Sequence, residues 1–223
     1  MNRISRCLAI ALLLPMVAEA QVQAKRVQSA RATPRIAIAR SLPSVVILDM
    51  SGDGVNLDGT AKTSLLTGGP VSARWTTAGS DDAFLLVDAT SLRAAGVSLM
   101  NSSKEALEGS QLFRDGLRVK DPGGKESVIS DGWQLLGVLD SNQDGKIDSS
   151  DPAWGSLRLF VDKNADGTIN PGELTAVAEA RMGALENKVG EKITDAAGRS
   201  RADGSFSTAD GETRTMSSVA TTP

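Results

Sequence analysis

The chain has 223 residues, with 24 lysines and arginines against 27 aspartates and glutamates, one cysteine, no histidine and no tyrosine. Without histidine neither a Ser-His-Asp triad nor an ordinary His-containing zinc site can be assembled, and a single cysteine excludes an internal disulfide. The composition does supply carboxylates, hard oxygen ligands suited to calcium, and a core resting on Leu, Val, Ile and Ala, since aromatic residues make up only 3%.

Residues 1–20 read as an export signal: Arg3 and Arg6 give a positive start, 7–17 is apolar, and Ala18-Glu19-Ala20 is a small-x-small cleavage site. The expected location after signal removal is secreted or periplasmic. The apolar run is too short to span a bilayer and no later segment reaches the required length, so no transmembrane segment is expected. Cys7 falls inside the signal. Residues 21–43 carry Lys25, Arg26, Arg31, Arg35 and Arg40, no acid, and two prolines; this composition predicts a basic, flexible linker. An acidic domain is expected over 44–223.

Within that domain the apolar run 44–50 predicts a buried strand feeding the acidic turn DMSGDG. Asp49, Ser51, Asp53 and Asp58 surround Gly52 and Gly54 there, and could form a further calcium site with help from Asp81, Asp82 or Asp88; a plain turn is the competing reading. A second strand is expected at 83–87, and a helix capped by Ser102 or Ser103 and ended by Gly109. Asp121-Pro122-Gly123-Gly124 is a turn signal. The stripe Trp133, Leu136, Leu139 predicts a helix over 132–139. Residues 152–161 suggest a short helix followed by an extended piece. Pro171, with apolar Leu174, Val177, Ala178, Met182 and Leu185, predicts another helix running to Asn187. Gly198, Gly204 and Gly211 punctuate a terminal hairpin. The fold class implied is α+β, with short strands and helices around paired EF-hand-like calcium loops.

Those loops are 140–151, DSNQDGKIDSSD, and 162–173, DKNADGTINPGE. An EF-hand loop takes ligands from positions 1, 3, 5, 7, 9 and 12, with glycine at 6 for the sharp turn. The second loop supplies Asp162, Asn164, Asp166, the Thr168 carbonyl, Asn170 and a bidentate Glu173. The first supplies Asp140, Asn142, Asp144, the Lys146 carbonyl, Asp148 and Asp151. Asp151 is one methylene shorter than the usual glutamate, so a weaker first site or a bridging water is expected. Polar turns would explain the glycines but not the full spacing, and the clustered carboxylates repel one another unless a cation or protons neutralise them. A glutamate at position 12 favours calcium over magnesium, and soft metals find no thiolate or imidazole in these loops. Only residues 152–161 separate the loops, too few for two helices and a linker, which argues against a calmodulin-like opening.

The segments VVILDMSGDGV, DDAFLLVD and 131–174 together resemble the calcium-binding module of bacterial RTX-toxin-like secreted proteins, and 194–216 resembles that family's final hairpin. The resemblance implies export and calcium-dependent folding, usually as one module of a larger protein. It departs after Asp88, where ATSLRAAGV replaces an acidic loop. Some relatives cut an Asp-Pro bond when calcium binds, and Asp121-Pro122 and Asp151-Pro152 are the pairs here. The expected function is calcium binding by an exported, non-enzymatic protein whose fold the ion stabilises. A calcium-dependent docking module similar to a dockerin, with an unidentified protein partner, and a calcium-triggered self-cleaving module are the alternatives. Nothing points to nucleic acid.

Overall fold

A computed structural model describes residues 42–100, 110–194 and 196–223. The expected signal, nearly all of the linker and the helix expected between Ser102 and Gly109 lie outside the described residues.

The domain is mostly β, which corrects the α+β expectation. Its centre is a curled antiparallel sheet of ten strands: β1 (Ser44–Leu48), β4 (Ala83–Asp88), β6 (Ser110–Leu112), β9 (Lys146–Asp148), β10 (Leu157–Phe160), β11 (Leu174–Ala176), β12 (Met182–Glu186), β13 (Lys192–Thr194), β14 (Ser200–Thr208) and β15 (Thr213–Ala220). Eight of them follow the order β11-β10-β4-β1-β15-β14-β12-β9, while β6 joins β4 and β13 joins β14. A hairpin of β2 (Gly59–Thr63) and β3 (Val71–Trp75) and a three-stranded sheet of β5 (Ser98–Leu99), β7 (Arg118–Lys120) and β8 (Glu126–Val128) complete the strands. Two short helices are described, α1 (Ala89–Ala94) and α2 (Gly132–Leu139).

The central strands are apolar at consecutive positions because both faces of the sheet are covered. Val46, Leu48, Leu85 and Val87 face a core shared with Trp133, Leu136 and Leu139 of α2. Val45, Ile47, Phe84 and Leu86 face a second core shared with Ala61, Ala73 and Trp75 of the β2–β3 hairpin. Trp75 stacks on Phe84 at 4.2 Å between ring centroids, and Phe84 meets Phe160 at 5.9 Å, an arrangement that adds ring–ring attraction to area burial. Three of the aromatic rings thus meet where the hairpin closes over the sheet, while Phe113, Trp133, Trp154 and Phe206 lie in the core on the other face.

The helix expected from Pro171 to Asn187 is instead β11, a turn and β12. Its three- and four-residue apolar spacing is real, since Val177, Met182 and Leu185 are all buried. That spacing arises from two strands and their connecting turn. Met182–Glu186 is held between β14 and β9, with Leu185 opposite both Phe206 and Ile147. Ladder hydrogen bonds on both sides outweigh the helix propensity of an alanine-rich segment. By contrast, α2 forms where its apolar stripe places it; Asp131 caps it by accepting from the Gln134 N–H at 3.0 Å. The segment after the first acidic loop is a 3-10 turn, Trp154–Ser156, followed by extended β10. The terminal hairpin is present as the long pair β14–β15.

Candidate metal centres

The two acidic loops differ in their flanks but share one hydrogen-bond pattern. In the first, Asp140 accepts from the N–H groups of Asp144 (3.2 Å) and Gly145 (3.0 Å), and Asp151 accepts from those of Ser141 (2.8 Å) and Asp148 (3.1 Å). In the second, Asp162 accepts from Asp166 (3.2 Å) and Gly167 (2.7 Å), and Glu173 from Lys163 (3.1 Å) and Asn170 (2.9 Å). Position 1 therefore binds the N–H groups of positions 5 and 6, and position 12 those of positions 2 and 9, in both loops. Asn142 and Asn164 each accept from position 5, and Asp144 and Asp166 each accept from position 7. The backbone matches too: Gln143 and Ala165 at position 4 have φ of 59° and 57°, and Gly145 and Gly167 at position 6 have φ of 89° and 74°. These left-handed conformations curl each loop back onto its position-1 carboxylate, although among the described residues neither loop brings three carboxylate oxygens within 4.8 Å of one another. At Gly167 a Cβ would also lie 2.9 Å from that of Thr63, so glycine is needed for the loop to rest on β2.

Asp151 occupies the same node as Glu173 despite its shorter side chain. The four end carboxylates, Asp140, Asp151, Asp162 and Glu173, are all buried, whereas Asn142, Asp144, Asn164 and Asp166 are exposed. The exposed side is kept charged by its own neighbours. The Ser150 hydroxyl and N–H hold Asp148 below the ordinary carboxylate range, and the Asn170 amide with the Thr168 N–H does the same for Asp166. Lys146 Nζ lies 3.4 Å from Asp148 in an outward pair of little energetic weight.

The frame around the loops is not that of an EF-hand, and that part of the expectation is corrected. Loop 140–151 is entered from α2, and its Ile147 pairs with Leu185 of β12. Loop 162–173 is the tip of the β10–β11 hairpin, with Phe160 opposite Leu174. Helix–loop–helix geometry is absent at both. Loop 162–173 is tied to the core by a contact that no motif signals: the Trp75 indole N–H donates to Asp162 Oδ2 at 2.7 Å, in a bond buried at both ends. The indole and the Gly167 N–H both hold Oδ2. Neither Asp-Pro aspartate has a free side chain. Asp151 belongs to its loop, and Asp121 Oδ1 accepts from the Lys125 N–H in a turn.

A third acidic group lies elsewhere. Asp49, Asp53 and Asp81 bring carboxylate oxygens within 4.8 Å of one another, a group that could hold a metal ion; Asp49 is buried, Asp81 half-buried and Asp53 exposed. Of the residues expected around this turn, Asp58 is exposed and outside the group, the Ser51 hydroxyl donates to Asp53 at 2.9 Å, and Asp88 instead caps α1. Asp82, beside them, is 3% exposed. Burial raises its carboxyl above the ordinary aspartate value, the Asn56 N–H and Ser80 hydroxyl act to lower it, and the charges of Asp81 and Asp49 raise it further. All three groups of donors are oxygens, the chemistry that suits a hard divalent cation. Among the described residues no helix is long and apolar enough to cross a membrane.

Residues 46–222 match the family described as SPM domain. Over 78 residues the chain is 33% identical to the iron-regulated protein FrpA of Neisseria meningitidis serogroup C, a match covering 35% of this chain and 7% of FrpA. The chain thus corresponds to a small part of that relative's length.

Proposed function

The chain belongs to the SPM-domain family, and from that premise we propose that it is an exported, non-enzymatic domain that binds calcium in loops 140–151 and 162–173 and depends on the ion for its stability. The observation that carries this reading is the shared pattern of the two loops, in which chain segments with different flanks adopt the same turn and the same carboxylate-to-backbone bonds. Asp140, Asn142, Asp144, the Lys146 carbonyl, Asp148 and Asp151 would hold one ion. Asp162, Asn164, Asp166, the Thr168 carbonyl, Asn170 and Glu173 would hold the other. Calcium would supply the charge that draws these carboxylates together. Loop 140–151 carries β9, which pairs with the distant β12, and loop 162–173 closes the β10–β11 hairpin, so fixing the loop ends braces the β9–β12 edge in one case and the β10–β11 edge in the other. Extracellular calcium modules often bind at about 10⁻⁴ to 10⁻³ M, a range that would delay full folding until after export.

Trp75 offers an optical test. Its indole touches Asp162, so terbium in loop 162–173, standing in for calcium, should be excited through that ring. The expected result is terbium emission on indole excitation that calcium displaces and that Trp75→Phe greatly reduces. Absence of any calcium-displaceable emission at saturating terbium would refute the assignment of this loop.

A further inference from the structure

The ladder between β1 and β4 ends in a way that apolar packing does not explain. Its register pairs Ile47 with Phe84 and Leu48 with Ala83, and the next residue beyond each of those last partners is an aspartate, Asp49 and Asp82. Both are only 3% exposed. Neighbouring like charges repel, as the charges of Asp81 and Asp49 do at Asp82, and burial strengthens the repulsion.

Part of the charge is met locally. Asp49 accepts from the N–H groups of Gly52 at 2.6 Å and Gly54 at 2.8 Å, and Asp82 Oδ2 accepts from the Asn56 N–H at 3.0 Å and the Ser80 hydroxyl at 3.2 Å. The remainder is not. Asp82 Oδ1 and Asp81 Oδ2 are enclosed and have no hydrogen-bond partner, and among the described residues no lysine or arginine forms an ion pair with Asp49, Asp53, Asp81 or Asp82. An enclosed carboxylate oxygen with no donor costs the full desolvation of that atom. One such atom within the converging group, on Asp81, and another beside it, on Asp82, indicate a missing positive partner.

We infer that Asp49, Asp53 and Asp81, backed by Asp82, bind a divalent cation of the calcium type that clasps the β1–β2 turn to the β3–β4 turn. This centre shares no residue with loops 140–151 and 162–173 and stands whether or not those loops bind ions. The donors are oxygens throughout, which suits a hard cation, and exposed Asp53 leaves a path for entry and for coordinated water. The clasp would fix the end of the central ladder, where the chain leaves β1 and returns into β4. Its position also explains why a short turn next to wholly buried strands is so rich in acid.

Equilibrium dialysis of the full chain against calcium, with and without Asp53→Asn/Asp81→Asn, tests the inference. Asparagine keeps the shape and removes the charge. The double variant is expected to bind one ion fewer than the unsubstituted chain while the remaining ions bind as before. Equal counts in the two proteins would overturn the clasp. If the paired loops are misassigned, the unsubstituted chain would bind a single ion, and the double variant none. Should the double variant fold poorly by circular dichroism, the exposed single change Asp53→Ser serves instead: a fall in affinity for that one ion of about tenfold is expected, and unchanged affinity of every ion refutes the proposal.

Discussion

Chelating calcium from the folded chain is expected to lower its melting temperature by about 10–20 °C. At free calcium near one hundred times the dissociation constant, each site that binds only the folded state contributes about 2.7 kcal/mol. Two loops then contribute about 5 kcal/mol, a large share of the stability of an ordinary domain. For a domain of this size each kcal/mol moves the melting point by about 2–4 °C. The effect should be large because Asp140, Asp151, Asp162 and Glu173 are buried, so their charges are poorly screened when no cation faces them. Scanning calorimetry with and without chelator measures it. An unchanged melt, with metal removal verified by elemental analysis, would leave the loops as ordinary polar turns.

Replacing Asp162 with alanine should have a second effect, separable from the loss of an ion. This carboxylate accepts from the Trp75 indole, the Gly167 N–H and the Asp166 N–H. Truncation leaves the enclosed indole N–H unpaired and removes the node that folds the loop. Hydrogen bonds to a charged group are worth about 1.5–3 kcal/mol each, and an orphaned buried donor costs about 1–3 kcal/mol. Asp162→Ala should therefore be destabilised by about 2–4 kcal/mol even in chelator, and should bind one calcium fewer. Asp162→Asn keeps an acceptor for the indole and should lose the ion with a smaller penalty in chelator. Urea melts of the three proteins in chelator decide the matter. Alanine and unsubstituted proteins of equal stability would show that the Trp75–Asp162 bond does not hold hairpin and loop together.

The parts of this fold legible in the sequence are those whose cause is local. The continuous apolar runs of β1 and β4 signal strands buried on both faces, and the structure covers both. The stripe on α2 and its Asp131 cap are likewise local signals. The shared turn of the acidic loops is also a local signal, since it follows from glycine at position 6.

What the sequence hid depends on distant partners. The segment 171–187 carries a helical apolar spacing and helix-forming residues, yet β14 and β9 hold Met182–Glu186 extended from both sides. Strands in that segment, and on both sides of loop 162–173, make the fold mostly β rather than the expected α+β. Strand β2, with the sequence GTAKT, offers only two small buried side chains and no strong strand signal. The bond between Trp75 and Asp162 joins residues 87 positions apart, and no local pattern announces it. In the acidic turn after β1, Asp58 is near in sequence yet stays outside the group, and of the distant acids Asp81, Asp82 and Asp88 expected to help, it is Asp81 that joins Asp49 and Asp53.

Calorimetric titration of the full chain with calcium bears most directly on the whole account. Uptake by the two loops at submillimolar to millimolar free ion is predicted, with one site abolished by Glu173→Gln and the other by Asp140→Asn. A chain that takes up no calcium at several millimolar, or whose uptake neither substitution alters, would contradict it.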